Sequence, residues 1–244
     1  MHANDDDAHG AMLRKLERLG TLNDDDRSAI RALPLRVQQA RVGHHLVREG
    51  DRATTCYLLL TGYACRYKVT SSGSRQIVSF HMPGDIVDLQ HLLLSRADHS
   101  IQAVTDLTYA VIASADLRQL AQNRRAIADT FWRDTLIDAS VFREWVLNVG
   151  RRDAKQRIAH MLCEFATRRE AAGLGAPTSF QLPFSQEQIA DATGLTTVHV
   201  NRMMSLLSAE GLISRDRRHI EIADWERMCR AANFNPAYLH AEAA

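Results

Sequence analysis

The sequence predicts an α+β chain with an antiparallel β-roll at the N-terminal end, one long helix, and a winged helix-turn-helix at the C-terminal end. Three observations carry this. Between Arg36 and Ile112, short runs of Val, Leu, Tyr and Ile alternate with turn signals at Gly43, Glu49-Gly50-Asp51, Thr61-Gly62, Ser71-Ser72-Gly73 and Pro83-Gly84-Asp85. That rhythm belongs to a compact antiparallel sandwich or barrel. From Ala126 to Val149 there is neither Gly nor Pro, and apolar residues recur three or four places apart. Phe184 to Leu207 then reads as two short helices about a tight turn. The expected parts are a sensor domain over 1–123, a long dimerisation helix over 124–150, and a DNA-binding domain over 151–244.

Taken in order, residues 1–10 read as a frayed acidic tail. Met12–Leu19 and Asp24–Leu33 suggest two short helices, the second entered through Asn23 and a run of aspartates that suits a helix N-terminus. Strands are expected near Cys56–Leu60, Tyr63–Val69, Gln76–Met82 and Leu107–Ile112, with one small helix over Val87–Leu94. A short helix follows from Asp116 to about Gln122. In the long helix, Trp132, Leu136, Ala139, Phe142, Val146 and Val149 form a stripe fit for a dimer seam. Phe131, Ile137, Val141 and Trp145 lie on the other side, where they can cover the chain's own barrel. Gly150-Arg151-Arg152-Asp153 reads as a hinge, and Asp153 caps a helix through Ile158, Met161, Leu162 and Phe165. Ala171–Pro177 is a linker to a short strand at Phe180–Leu182.

The helix pair begins at Ser185, an N-cap with Gln188 at capping-box spacing. Ile189 and Ala192 face inward, and Gly194 gives the turn its backbone freedom. Thr196 or Thr197 caps the second helix, whose inner stripe is Val200, Met203, Met204 and Leu207. Thr197, His199, Asn201 and Arg202 are left to reach base edges. Leu212-Ile213-Ser214 and His219–Ile222 form a hairpin around Asp216-Arg217-Arg218, which makes the motif a winged one. Asp224 caps a last helix to about Ala231, and the end is expected to be mobile.

Composition narrows the function classes. The formal charge is +1, and residues 151–244 hold 12 Lys+Arg against 11 Asp+Glu, so any cationic face is local, as at Arg215, Arg217 and Arg218 or at Arg151, Arg152 and Lys155. The acidic start lacks the apolar run of a signal peptide, and no stretch approaches the roughly 20 apolar residues of a membrane span. A cytoplasmic compartment is expected. Cys56, Cys65, Cys163 and Cys229 match no C-x-x-C spacing. No Ser/His/Asp spacing, H-E-x-x-H or P-loop appears, so an enzyme is not expected.

The order of parts resembles the CRP/FNR family of bacterial transcription regulators over nearly the whole chain. E-G-D-x-x-x-x-x-Y-L-L-L-T-G, Glu49 to Gly62, resembles the first turns of that family's cyclic-nucleotide-binding-like β-roll, and Pro83–Asp85 the entry to its phosphate cassette. The long helix resembles the dimerisation helix, and Arg157–Ala159 the first helix of the DNA domain. I-A-D-A-T-G-L-T-x-x-x-V-x-R, Ile189 to Arg202, is the most specific piece. The resemblance implies a homodimer on double-stranded DNA at a pseudo-palindromic operator, with RNA polymerase as a further partner. It places Arg202 on a guanine. Asn201, His199 and Thr197 follow as base or phosphate readers, with Thr196 and the wing's Arg217 beside them. Ser185 and Gln186 are phosphate candidates at a helix N-terminus.

Departures matter equally. Where the family's cyclic-nucleotide binders carry G-E-L, this chain has Asp88-Leu89-Gln90, and where they carry Arg-Ser/Thr-Ala it has Ala97-Asp98-His99. Phe142 and Arg143 stand where adenine would be met. Asp88, Leu89, His99, Phe142 and Arg143 are thus the pocket candidates, and cyclic AMP is not expected because its phosphate needs a cationic or N–H-rich cradle. No cysteine precedes Cys56, so an iron–sulfur cluster is not expected either. His81, His91 and His99 lack ligand spacing, and neither haem nor a metal is assigned. Val198 replaces a Glu common in relatives, exchanging a cytosine contact for packing on a thymine methyl. The competing reading keeps the β-roll as a receptor for a small molecule, cyclic-nucleotide-like or haem, with the winged domain docking a protein.

Overall fold

Ala8, Met12 and Leu16 stand four residues apart, which stacks them on one side of a helix. All three are fully buried in the first helix, α1 (Asp5–Glu17). The computed structural model describes residues 5–52 and 54–241. Positions 1–4 of the expected tail lie outside the described residues, and from Asp5 onward the tail is helix instead. Its aspartates occupy the first turn, where the helix dipole favours them, and its apolar side is drawn into the core. The second helix, α2 (Asp24–Arg31), starts at Asn23 as expected. Asn23 accepts from the Asp26 N–H while the Asp26 carboxylate accepts from the Asn23 N–H.

The roll follows as β1 (Arg36–Ala40), β2 (His45–Val47), β3 (Thr55–Thr61), β4 (Ala64–Val69), β5 (Arg75–His81), β6 (Ile86–Val87), β7 (Ser100–Ala103) and β8 (Leu107–Ala113). They form two four-stranded sheets, ordered β1-β8-β3-β6 and β2-β7-β4-β5, and every assigned register is antiparallel. Gly62 makes the β3–β4 turn possible. Its φ is +81°, and a Cβ there would lie 2.1 Å from the Asp106 carbonyl oxygen. The helix expected over Val87–Leu94 is a correction. The segment is strand β6 followed by a single 3-10 turn at Leu89–Leu92, because Asp88 takes a left-handed conformation that ends any continuous helix.

Beyond the roll come α3 (Ser114–Asn123) and α4 (Arg125–Arg151). The chain forms two compact units. One takes the chain up to Lys68 with Phe80–Ala139, and the other takes Val69–Ser79 with Ser140–His240. In the first unit, one apolar cluster gathers Met12, Leu16, Ile30, Leu58, Ile112, Leu117 and Phe131, and a second lies under Leu59, Ile101 and Tyr109. Along α4, Phe131, Val141 and Trp145 are buried, while Trp132 is 65% exposed, Leu136 52% and Val146 71%. The division follows the spacing only in part: Ala139, Phe142 and Val149 of the outer stripe are half-buried, and Trp145 bonds to Glu164 of the second unit instead of covering the barrel.

In the second unit, α4 runs on through Gly150, so the break is shorter than the hinge expected at Gly150–Asp153. Asp153 caps α5 (Ala154–Ala171), and β9 (Ser179–Gln181) follows. The helix pair is α6 (Gln186–Thr193) and α7 (Thr197–Ala209), and the hairpin is β10 (Ser214–Asp216) with β11 (His219–Glu221). The three strands form one small sheet, ordered β10-β11-β9. Phe165 of α5 meets Phe180 and Phe184 edge-on, with ring centroids 5.7 and 4.9 Å away. The last helix is α8 (Trp225–Ala232), entered at Asp224. The mobile end is a second correction. Pro236–Leu239 forms a 3-10 turn, and the Tyr238 hydroxyl donates to the buried Glu164 carboxylate at 2.6 Å, beside the Trp145 indole N–H at 3.0 Å. Residues 242–244 lie outside the described residues. No helix among the described residues is long and apolar enough to cross a membrane.

Candidate nucleic-acid interface

Ser185 starts α6. Its Oγ accepts from the Gln188 N–H at 3.1 Å, and its own N–H donates to Gln188 Oε1 at 2.8 Å. The N–H groups of the first helical turn have no partner within the helix and remain as a concentrated positive end. Gly194 closes α6 at φ +66°, donating its N–H to the Ala190 carbonyl. Thr196, two residues on, is the cap of α7, its Oγ1 accepting from the His199 N–H at 3.2 Å. The choice between Thr196 and Thr197 is thereby settled, and Thr197 stands exposed at the first position of the helix.

The inner faces are as the spacing requires. Ile189, Ala192, Val200, Met203, Met204 and Leu207 are all buried. What remains outward in the first half of α7 is Thr197, Val198, Asn201 and Arg202, with His199 half-buried; Ser205, Leu206, Ser208 and Ala209 are exposed further along. Val198 is 77% exposed, an apolar side chain with nothing of its own chain to cover it. Arg202 Nη2 lies 3.2 Å from His199 Nε2, and the amides of Gln186 and Asn201 hydrogen-bond to each other across the two helices.

The wing completes the surface. Asp216 pairs with His219, which leaves Arg217 and Arg218 as a two-residue turn. Arg217 sits there at φ +52°, in the left-handed region that favours Gly or Asn. A cleft of about 340 Å³ lies between wing and helix pair, edged by Arg215, Arg217 and Arg218 on one side and by Ser185 and Gln186 on the other. Three arginines thus share one cleft with the N-terminal residues of α6. The domain's near-zero net charge conceals this local concentration, because charge counting ignores position. Arg215, Arg217 and Arg218 are one of the two local cationic groups that the sequence singles out.

The β-roll candidates are built differently. Asp88, Leu89 and His99 do come together in the first unit, but Leu89 belongs to the apolar core. Asp88 has φ +68° and a fully buried carboxylate. Oδ1 accepts from Arg66 Nη2 at 3.2 Å, from His99 Nε2 at 2.9 Å and from Gln90 Nε2 at 3.3 Å. Arg66 Nη1 donates in turn to Asp138 of α4 at 2.7 Å. His91 stacks on His99 with ring centroids 6.3 Å apart. Burial by itself would raise the Asp88 carboxyl, but the His99 hydrogen bond and the nearby Arg66, His99 and His91 outweigh it and hold the group at about 2. Cys56 is a buried thiol donating to the Asp88 carbonyl, and burial pushes it up to about 12. Among the described residues, no group of three or more His, Cys, Asp or Glu is placed to hold a metal ion. Phe142 and Arg143 lie on α4 in the second unit, where Arg143 donates to Ser140. The sequence reading missed Arg66 and Asp138. A basic residue in phase with Ala64 on an inward strand face was the signal for the first.

Two family models match the chain: a cyclic nucleotide-binding domain over residues 37–124 and a Crp-like helix-turn-helix domain over 156–231. The chain is 30% identical over 203 residues to the nitrogen fixation regulation protein FixK of Rhizobium meliloti, covering 82% of this chain and 89% of that one. It is 28% identical to the transcriptional activator protein FnrL of Cereibacter sphaeroides, over 79% of this chain and 78% of the relative. Its fold matches the structure of FixK2 from Bradyrhizobium japonicum with a TM-score of 0.75 and 26% identity, over 82% of this chain and 98% of that one.

Proposed function

The chain belongs to the CRP/FNR family of transcription regulators, whose helix-turn-helix binds DNA, and we propose that it works as a homodimer reading a two-fold-related operator. In this reading α7 enters the major groove, and two copies address half-sites about one helical turn, roughly 34 Å, apart. One observation carries it. Ser185 and Gln186 of α6 and three wing arginines edge one cleft, and the Gln186–Asn201 pair ties the exposed side of α7 to that α6 end. The polar face of α7 fits base edges, whereas a protein-docking helix would present more apolar area there. Arg202 and Asn201 are the base readers. Ser185, Arg215, Arg217 and Arg218 face phosphate, while the Gln186 amide is bonded to Asn201.

The exposed row Trp132, Leu136 and Val146 supports dimerisation along α4, because bulky apolar groups at that spacing gain most by meeting a second copy. FnrL is an activator by name. By that likeness this chain activates too, with RNA polymerase as its protein partner. No cyclic nucleotide is bound in the roll. The buried cation near the sequence's phosphate-cassette segment, Arg66, is already matched by the two carboxylates of Asp88 and Asp138, and a cyclic phosphate would have to displace them. Isothermal titration with cyclic AMP accordingly gives no heat of binding.

The deciding experiment is an electrophoretic mobility shift on the protein's own promoter region. Arg202→Ala loses about 1–3 kcal/mol of affinity for the specific site and relaxes the base preference at one position in each half-site. Full, sequence-selective affinity in that variant would remove Arg202 from the reading.

A further inference from the structure

Gln186 and Asn201 stand 15 residues apart, one at the start of α6 and one on the exposed side of α7. Gln186 Nε2 donates to Asn201 Oδ1, and Asn201 Nδ2 donates to Gln186 Oε1. Two carboxamides bonded in this reciprocal way form a closed ring, each using its carbonyl oxygen and the N–H on the same side as that oxygen. This is also the edge by which an asparagine reads adenine, accepting from N6–H and donating to N7. The edge of Asn201 that would specify adenine is therefore turned onto the chain itself. What it has left is one N–H and one lone pair pointing in different directions. Those suffice for a single hydrogen bond to a purine N7 or a thymine O4, and a single bond distinguishes bases poorly.

We propose that Gln186 is a specificity-determining residue, which holds Asn201 as a single-bond reader and keeps its operator position degenerate. The inference rests on α7 reading DNA as set out above. To engage adenine with both groups, Asn201 must exchange two amide–amide bonds for two amide–base bonds. Like-for-like exchange of neutral hydrogen bonds is nearly balanced, so adenine gains little over its competitors. Without the Gln186 side chain that exchange disappears, and the free edge favours adenine in full. Gln186 thus acts through Asn201, as a positioning residue.

The test is selection of DNA from a randomised duplex library by the full-length protein and by Gln186→Ala, Asn201→Ala and the double variant. Gln186 lies outside the Ser185–Gln188 capping box, and alanine is a good helix former, so Gln186→Ala keeps the fold. The position read by Asn201 is the one whose base frequencies change in Asn201→Ala. At that position the wild type accepts several bases, and Gln186→Ala enriches adenine by about five-fold or more. The double variant shows no such enrichment. Wild-type protein that already demands adenine there overturns the proposal. So does a Gln186→Ala protein whose affinity falls equally on all sequences with its base preference unchanged, since Gln186 would then be a phosphate contact. If the wild type selects no sequence at all, the DNA reading and this inference fall together. If Arg202→Ala alters selection while Gln186→Ala does not, only the inference falls.

Discussion

Replacing Asp88 by Asn removes one negative charge from the buried group around Arg66 and leaves its shape in place. The size of the effect follows from the carboxyl itself. It sits at about 2 in the fold against a usual 3.8. At about 1.4 kcal/mol per pH unit, that difference makes the ionised form worth about 2 kcal/mol of stability. The folded state holds this proton less tightly than the unfolded chain does. The contribution is therefore complete above about pH 5, falls through pH 4 and 3, and is gone below about pH 2. Urea unfolding followed by circular dichroism should find Asp88→Asn less stable than the wild type by about 2 kcal/mol at pH 7, with the gap narrowed by about 1 kcal/mol at pH 3. Asp88→Ala also strips the acceptor from Arg66, His99 and Gln90, and should cost about 3–5 kcal/mol. An Asn variant as stable as the wild type at pH 7, or a gap that does not change with pH, would refute this account of the cluster.

Four further outcomes are expected. Gly62→Ala should lose at least about 2 kcal/mol in thermal unfolding, because its Cβ collides with the Asp106 backbone. Gly194→Ala, whose nearest neighbour would be 3.7 Å away, should lose only about 1 kcal/mol from its left-handed conformation. Arg217→Gly should leave the domain as stable or up to about 1 kcal/mol more stable, since the left-handed turn suits glycine. Its DNA affinity should nevertheless fall, with the slope of log affinity against log salt shallower by about one per subunit on the operator. Leu136→Glu should turn the dimer into a folded monomer in sedimentation equilibrium at micromolar concentration, and an unchanged dimer would move the seam off α4.

What was legible in the sequence was local. Asn23, Asp153, Ser185 and Asp224 each announced a helix, because a cap and the amides it satisfies lie within three residues. The wing and the helix pair followed from turn residues and short apolar periods. The errors came where a local signal was overruled. The acidic start hid Ala8, four residues ahead of Met12 and Leu16, so the first helix begins at Asp5 where the sequence suggested Met12. The apolar run Val87–Leu94 looked helical until one backbone angle at Asp88 broke it. The buried charge group was not legible, since Arg66 meets its partners 22 and 72 residues away and no local pattern reports such pairs. The outward residues at the start of α7 could be named in advance, but not the bond between Gln186 and Asn201, which depends on how two helices cross.

The small count of cations around the cleft also bears on how the protein searches a genome. Affinity for arbitrary DNA comes almost entirely from neutralised phosphates, and a chromosome offers about 10⁶–10⁹ such decoy sites. A regulator coated in lysine spends most of its copies parked on them. Here residues 151–244 carry 12 Lys and Arg against 11 Asp and Glu, and three of the arginines gather at the wing. In the proposed reading stray binding is shallow and brief, and the operator is filled by what α7 reads, even when few copies are present in the cell.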